Sequence, residues 1–223
     1  MSKPFDNLAA RLRALGQKGA NAQTACLSDF DWRQTPRRPP LVPRSIYIRV
    51  VSQLHHGELA AQRLCRSLVG RLGQSEADFC LEVQLADQTR HAEIFDRYLT
   101  LIGGIAPPAT ALISVVDSVM AWRRAPKAVV LACHISLEGE VLRLENAVDS
   151  WSPCPLLREI GAKLAHDEAR HVAFGKLYLR ESLPHLPLGE RVAVYRWLKE
   201  MSQLSSAAFD RRYVQDELGY EGP

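Results

Sequence analysis

The stretch LAHDEARHVAF, from Leu164 to Phe174, decides the fold because it sets ionisable side chains into the apolar stripe of a helix. Glu168 and His171 stand three residues apart, so both project from one helix face, one turn apart, and reach toward a single point. Ionisable groups on a buried helix face require partners, since an isolated buried charge is strongly unfavourable. The stretch therefore predicts a long helix that contributes to a polar site shared with other helices.

The same pattern occurs 80 residues earlier, in LADQTRHAEIF from Leu85 to Phe95. The offset also relates residues outside these two stretches, and five of the six matched pairs are identical. The pairs are Glu58 with Glu138, Asp87 with Asp167, Gln88 with Glu168, Arg90 with Arg170, His91 with His171 and Tyr98 with Tyr178. Two helix pairs are therefore expected to face each other as pseudo-repeats across one site, with a single mismatch at Gln88.

Hydrophobic spacing and proline positions predict an all-α fold with almost no strand. Four long helices are expected at about 45–73, 75–104, 127–150 and 156–183, in two antiparallel pairs joined by a crossover. A segment that becomes helical at about 110 breaks or kinks at Pro126, and a fifth bundle helix is expected at about 188–209. Residues 1–44 are expected to form a proline-rich arm with a short helix at about 5–15, residues 45–209 the bundle, and residues 210–223 a polar tail.

Each long helix places a carboxylate, or its amide analogue, in the middle of its buried stripe. One Glu from each of two helices, with Glu-x-x-His from each of the other two, is the ligand set of a di-iron or di-manganese carboxylate bundle. The predicted metal ligands are Glu58, Gln88, His91, Glu138, Glu168 and His171. Glu140 competes with Glu138 for one position, but the offset of 80 residues selects Glu138.

Four further residues near the stripes have two interpretations each. His55 and His134 lie one turn before Glu58 and Glu138 on their helices, and they are either extra ligands or ordinary pocket histidines. Tyr98 and Tyr178 stand seven residues past the two ligand histidines, where a redox role competes with simple core packing. The ordinary interpretation is favoured for all four.

Gln88 is the one departure from the ligand pattern. Its amide offers a neutral carbonyl oxygen, which is a weaker ligand than a carboxylate for a hard divalent cation. We expect looser binding of the metal paired with His91, and three outcomes stay open: two bound metals, one bound metal, or a metal-free relic. Glu145 is the nearest replacement carboxylate, although it lies ~10 Å from Glu138 along the helix at 1.5 Å per residue.

With these residues the sequence resembles the ferritin-like di-iron carboxylate proteins, which include the ribonucleotide reductase small subunit and the bacterial multicomponent monooxygenases. The resemblance covers about residues 45–182 and is carried by Glu58, DQTRH at 87–91, LEG at 137–139 and DEARH at 167–171. Locally, HHGELAAQR and ACHISLE are similar to segments of demethoxyubiquinone hydroxylase. The spacing of 30 residues between positions 58 and 88 also agrees with that family.

The resemblance implies an oxygen-activating oxidoreductase of hydroxylase or oxygenase type that acts on a small, largely apolar substrate. It implies two iron ions, with manganese or a mixed pair as alternatives, and a separate electron-donor reductase. Asp87 and Asp167, with Arg90 and Arg170 beside them, are implied to hold the second ring nitrogen of the ligand histidine on the opposite helix pair. Two other functions stay open: non-catalytic metal handling, as in ferritin, and a metal-depleted helical binding module.

The amino-acid composition argues against some classes of partner. The 28 basic and 25 acidic residues form no long basic block, so nucleic acid is not expected as a partner. Five cysteines without a C-x-x-C pair fit reduced thiols in a cytoplasmic protein. No stretch approaches the ~20 apolar residues of a membrane span, so a protein without one is expected. A homodimer is left open as the assembly.

Overall fold

A computed structural model describes residues 4–22 and 25–207, and within these ranges the chain is helical without a strand. This confirms the all-α prediction. A π-helical segment, Leu131–Leu137, joins α5 to α6, and the short 3-10 turns Leu27–Asp29 and Leu183–His185 complete the order. The helices are α1 Pro4–Ala22, α2 Arg44–Leu68, α3 Ser75–Ile102, α4 Thr110–Ala121, α5 Pro126–Val130, α6 Glu138–Trp151, α7 Pro155–Ser182 and α8 Leu188–Ala207.

α2 and α3 form the first antiparallel pair of the bundle. Tyr47 bonds to Tyr98 at one end, and the Cys65 thiol donates to the backbone oxygen of Leu81 at the other, so residue numbers run in opposite directions. α2 ends at Leu68, earlier than the expected position near residue 73. α3 ends as predicted at two glycines with positive φ, whose N–H groups donate to the Leu99 carbonyl at 3.0 and 2.8 Å.

The second antiparallel pair consists of α7 and the continuous helix built from α5, the π-helical segment and α6. Two glycines of α7 allow the close approach. A Cβ atom added at Gly175 would lie 2.4 Å from the Cβ of His134, and one added at Gly161 would lie 3.1 Å from the Glu145 carbonyl oxygen. The two predicted helix pairs are therefore both present.

The N-terminal helix is longer than predicted. A short helix at about 5–15 was expected, whereas α1 continues to Ala22 and packs against α3 and α7. Leu8 and Leu12 are buried on the packed face. Gly19 lets α1 approach α7 closely, since an added Cβ would lie 2.7 Å from the Arg170 Nε atom.

α4 and α8 pack together outside the two pairs. The Trp122 and Trp197 rings lie 4.7 Å apart, and the Trp197 indole donates to the Ser118 hydroxyl at 3.1 Å. Pro126 opens α5 rather than kinking one long helix, because α4 ends at Ala121. The predicted fifth helix corresponds to α8, while positions 208–209 and the predicted tail at 210–223 lie outside the described residues.

Apolar side chains form two separate clusters along the bundle. One contains Leu64, Leu81 and Phe174, and the other contains Leu54, Phe95 and Leu164 and lies further toward the opposite end of each helix. The helix segments between the clusters carry the buried polar residues. Among the helices of the described ranges, none combines the length and apolar character needed to cross a membrane.

Candidate metal centre

The six predicted ligand side chains meet in one buried layer between the two apolar clusters. They come from α2, α3, α6 and α7, and each is at most 2% exposed. The layer consists of Glu58, Gln88, His91, Glu138, Glu168 and His171. Such a concentration of ionisable groups is unfavourable in a protein interior unless the charges are paired or coordinate a metal.

Two groups of three side chains within this layer have metal-ligand geometry. In the first, His91 Nδ1 lies 3.3 Å from Glu58 Oε2 and 3.1 Å from Glu168 Oε1. In the second, His171 Nδ1 lies 3.3 Å from Glu168 Oε2 and 3.6 Å from Glu138 Oε2. The donor atoms of each group lie within 4.8 Å of one another. Because Glu168 belongs to both groups, the layer offers two adjacent cation positions joined by one carboxylate.

Unpaired oxygen atoms show that the donor set fits cations. Glu58 Oε1 and Glu138 Oε2 are buried and have no hydrogen-bond partner among the described residues. Buried polar atoms without a partner are rare in proteins, and a site that accepts an ion is one of the standard reasons for them. Carboxylate and imidazole donors suit divalent iron and manganese. The residues present therefore fit a pair of such ions.

The histidine rings are oriented across the bundle. His91 Nε2 lies 3.3 Å from Asp167 Oδ2, and His171 Nε2 lies 3.1 Å from Asp87 Oδ2. Arg170 pairs with both aspartates, and Arg90 pairs with Asp87. An acceptor at Nε2 keeps the proton on that nitrogen and turns Nδ1 toward the centre of the layer. Each aspartate therefore contacts the histidine of the opposite helix pair.

Comparison with known structures identifies the architecture. The chain superposes on an R2-like ligand-binding oxidase with aerobically reconstituted Mn/Fe cofactor at a TM-score of 0.60 and 15% identity, covering 95% of this chain and 85% of that one. Two single-residue mutants of an R2-like ligand-binding oxidase, also with Mn/Fe cofactor, give TM-scores of 0.66 and 0.65 at 16% and 17% identity. Each match covers 95% of this chain and 86% of the other chain. These oxidases belong to the ferritin-like di-iron superfamily. The fold is ferritin-like. No protein-family model and no curated protein sequence matches the chain.

The charge state of the ferritin-like layer depends on its own ion pairs. Burial opposes the charged form of His91, but Glu58 and Asp167 outweigh it and raise the pKa of His91 well above its usual value. Burial and the neighbouring Glu168 raise the pKa of Glu138 to about 7. Burial also disfavours the charged form of Glu168, but the positive His171 overcomes it and lowers the pKa of Glu168 to about 2. Protonated histidines thus balance the carboxylates, and metal binding would displace those protons.

Gln88 contacts residues of both groups, because its Nε2 atom also lies 3.5 Å from Glu168 Oε1, the oxygen that faces His91. Its Nε2 atom donates to Glu138 Oε1 at 3.1 Å and lies 3.3 Å from His171 Nδ1, while its Oε1 atom has no hydrogen-bond partner. The sequence predicted weaker binding of the metal paired with His91. The amide lies among Glu138, Glu168 and His171, so which of the two metals it affects more stays a prediction.

Neither predicted extra ligand joins a metal group. His134 is buried, with Nε2 2.9 Å from Gln84 Oε1 and Nδ1 3.2 Å from the Val130 carbonyl oxygen, and a neutral ring donates its one N–H to one of these two oxygens. Burial lowers the pKa of His134 to about 4, which keeps the ring neutral. His55 packs its ring against His56, 5.3 Å away, and stays outside both groups. Neither histidine belongs to the two groups, and extra ligation by them stays a prediction.

Gln84 is a site residue that ligand spacing alone did not identify. Its Nε2 atom donates to Glu138 Oε1 at 2.7 Å, and its oxygen meets His134. Gln84 precedes Gln88 by one helical turn on the same α3 face, which was the available signal. Gln84 thus holds one oxygen of Glu138, while the other oxygen lies 3.6 Å from His171 Nδ1.

Two remaining sequence candidates have clear surroundings. The Tyr98 hydroxyl lies 2.8 Å from the Tyr47 hydroxyl, and the Tyr178 hydroxyl donates to the Leu72 carbonyl at 3.3 Å, which agrees with core packing for both pseudo-repeat tyrosines.

A small cavity borders the layer at His171 where α1 covers α3 and α7. It is lined chiefly by the apolar side chains Leu15, Cys80, Val83 and Phe174.

Proposed function

We propose that the protein is an oxygen-activating dimetal oxidoreductase, of hydroxylase or oxygenase type, that acts on a small, largely apolar organic substrate. The observation that carries the proposal is the pair of buried Glu and His groups that share Glu168. Two iron ions are the proposed cofactor, with manganese or a mixed pair as the alternative. The Mn/Fe cofactor of the structural neighbours supports the alternative.

The bound metal pair would supply the electrons that reduce dioxygen, and a separate reductase would restore them. The chain's own residues would hold the two cations and orient the ligand side chains. Glu58 with His91, and Glu138 with His171, would each hold one cation, while Glu168 would join them. The crossed aspartates keep the imidazole rings in position, and the two apolar clusters keep bulk water out of the layer. The small cavity beside His171, which Gln84 and Arg170 also line, has room for about one water-sized molecule, so it supports access of dioxygen but not binding of an organic substrate.

Gln88 is the specific observation that favours a second candidate, a ferritin-like binding module without metals. An amide at this position removes one negative charge from the layer and donates a hydrogen bond to a would-be ligand, Glu138. Both effects weaken cation binding. Metal content separates the two candidates.

The test is elemental analysis of protein produced in iron-rich and in manganese-rich medium, beside a Gln88→Glu variant. About two metals per chain in the native protein, with an absorbance change when the anaerobically iron-loaded form meets oxygen, support the oxidoreductase. Fewer than one metal per chain and no absorbance change would establish the binding module. Two metals only in Gln88→Glu would identify the amide as the change that disabled the site.

A further inference from the structure

One carboxylate of the buried interior belongs to neither metal group. Glu145 on α6 is 2% exposed, and neither of its carboxylate oxygens has a hydrogen-bond partner among the described residues. Glu58, Glu138 and Glu168 each have at least one such partner. A buried carboxyl group without any partner is strongly unfavourable unless it is protonated or meets a cation.

The position of Glu145 relates it to the first metal group. The charged groups that act most strongly on its carboxyl group are Glu168 and Glu58, followed by His91, with Glu138 weaker although it lies on the same helix. α6 approaches α2 one turn before Glu145, where an added Cβ at Gly57 would lie 3.3 Å from Val141 Cγ2. Glu145 therefore follows the contact between α2 and α6 by one helical turn, and Glu58 is among the charged groups that act on its carboxyl group.

The charge count of the layer gives Glu145 a role. Two divalent cations bring four positive charges, whereas Glu58, Glu138 and Glu168 bring three negative ones and Gln88 brings none. An uncompensated charge in a buried site is costly. One further carboxylate makes the centre neutral, and within the described ranges Glu145 is a buried carboxylate for which neither oxygen has a hydrogen-bond partner.

We propose that Glu145 is a fourth carboxylate ligand of the metal centre, binding the cation held by Glu58, His91 and Glu168 and replacing the charge lost at Gln88. Glu138 and Glu145 are two helical turns apart, roughly 10 Å along α6, so each serves a different cation. The inference rests on the proposed dimetal function. Its alternative is a glutamic acid that is simply protonated and takes no part in metal binding.

The experiment measures Mn²⁺ affinity and stoichiometry by chelator competition and elemental analysis, without any need for substrate. Glu145→Gln keeps the shape of the side chain and removes its charge. We expect one of the two Mn²⁺ ions to bind at least tenfold more weakly. The matched control is Glu140→Gln on the same helix, an exposed carboxylate paired with Arg143, which should leave both affinities within twofold.

A compensating variant sharpens the test. Gln88→Glu combined with Glu145→Gln again has four carboxylates in the layer, so we expect both Mn²⁺ affinities to return to within about threefold of the native values. Unchanged affinity for both ions in Glu145→Gln alone would overturn the inference. If that variant does not fold, Glu145→Asp gives the same decision, because a carboxylate drawn back by one methylene must bind more weakly if it is a ligand.

The outcomes separate this inference from the proposed function. Two Mn²⁺ ions in the native protein, with no change in Glu145→Gln, overturn the role of Glu145 and leave the dimetal centre standing. Absence of bound metal in the native protein overturns both. A protonated bystander would also give Glu145→Gln metal affinities equal to those of Glu140→Gln, whereas a ligand makes the two variants differ.

Discussion

Asp87 lies beside the candidate centre and meets three partners, His171, Arg170 and Arg90. We predict that Asp87→Asn lowers Mn²⁺ affinity by roughly 10- to 100-fold, because the amide no longer holds the imidazole proton as strongly. The metal-free variant should also lose about 3–5 kcal/mol in free energy of unfolding, since Arg170 is left partly unpaired. Chelator competition and urea unfolding measure the two effects.

The control for this prediction is Asp149→Asn, which breaks an exposed ion pair with Arg158. Exposed pairs of this kind contribute roughly 0–1 kcal/mol, and Asp149 is remote from the metal groups. Native Mn²⁺ affinity in Asp87→Asn would mean that the His171 ring is held by packing alone.

Glu138 gives the metal-free protein a pH-dependent stability. Its pKa in the folded state is raised from 4.5 to about 7. The stabilisation is therefore fully present below about pH 4.5 and is lost as the pH rises through about 7, because the unfolded chain releases this proton first. The contribution to the slope is at most about 1.4 kcal/mol per pH unit.

Glu138→Gln should remove that contribution. Urea unfolding of chelator-treated protein at several pH values measures the slope for the native chain and for the variant. We expect the variant to lose less stability than the native chain between about pH 4.5 and about pH 7. Parallel curves for the two proteins would show that Glu138 does not hold the proton.

Sequence periodicity predicted where the six layer residues meet, because helix faces are a local property and the 80-residue offset repeats them. It did not predict the partners of His134 and Gln84. These residues are 50 positions apart, and their contact depends on how two helix pairs pack. The side of the layer that Gln88 faces depends on that packing as well.

The π-helical segment Leu131–Leu137 is the element that helix propensity could not reveal. A π-helical turn closes its backbone hydrogen bond over one more residue than an α-helical turn does. Such turns occur often at functional sites. Here the wide turn brings His134 against Gly175 of α7, and Glu138 follows directly after it. The sequence predicted a helix through this region but not its local widening.

Gly175→Ala tests that contact. Alanine raises helix propensity by up to about 1 kcal/mol, yet its Cβ would lie 2.4 Å from the Cβ of His134. We therefore predict a net loss of about 1–3 kcal/mol in free energy of unfolding, as for other overpacked cores. The control is Gly189→Ala at the start of α8, where no atom lies within 4 Å of the added Cβ. A stabilised Gly175→Ala protein would contradict the close packing of this turn.

At the scale of the whole molecule, the bundle is covered by its own additional helices. α1 packs on α3 and α7, and α4 packs on α2 with α8 outside it. A storage shell needs bundle faces that are free for neighbouring subunits. We therefore predict one or two chains of 24.9 kDa per particle in light scattering after size exclusion, rather than a closed shell. A particle of many subunits would favour metal storage.

These additional helices were also the least predictable part of the fold. The glycines of α1 weaken its helical hydrophobic pattern in the sequence. Their role is seen only in the structure, where they allow α3 and α7 to pack closely against α1. The pairing of α4 with α8 depends on a contact between Ser118 and Trp197, 79 residues apart. Long-range contacts of this kind leave no periodic trace in a single sequence.

The crossed contacts of the histidines have a consequence for the origin of the bundle. Asp87 orients His171 and Asp167 orients His91, so neither helix pair fixes its own histidine. In a single helical hairpin with this motif, the aspartate would have no histidine to contact, and the histidine would have no aspartate to orient it. If the pseudo-repeats arose by duplication, the ancestral hairpin could have built the site only by pairing with an identical copy, and fusion made that partner permanent. Only then could one half change to Gln88 while the other kept Glu168.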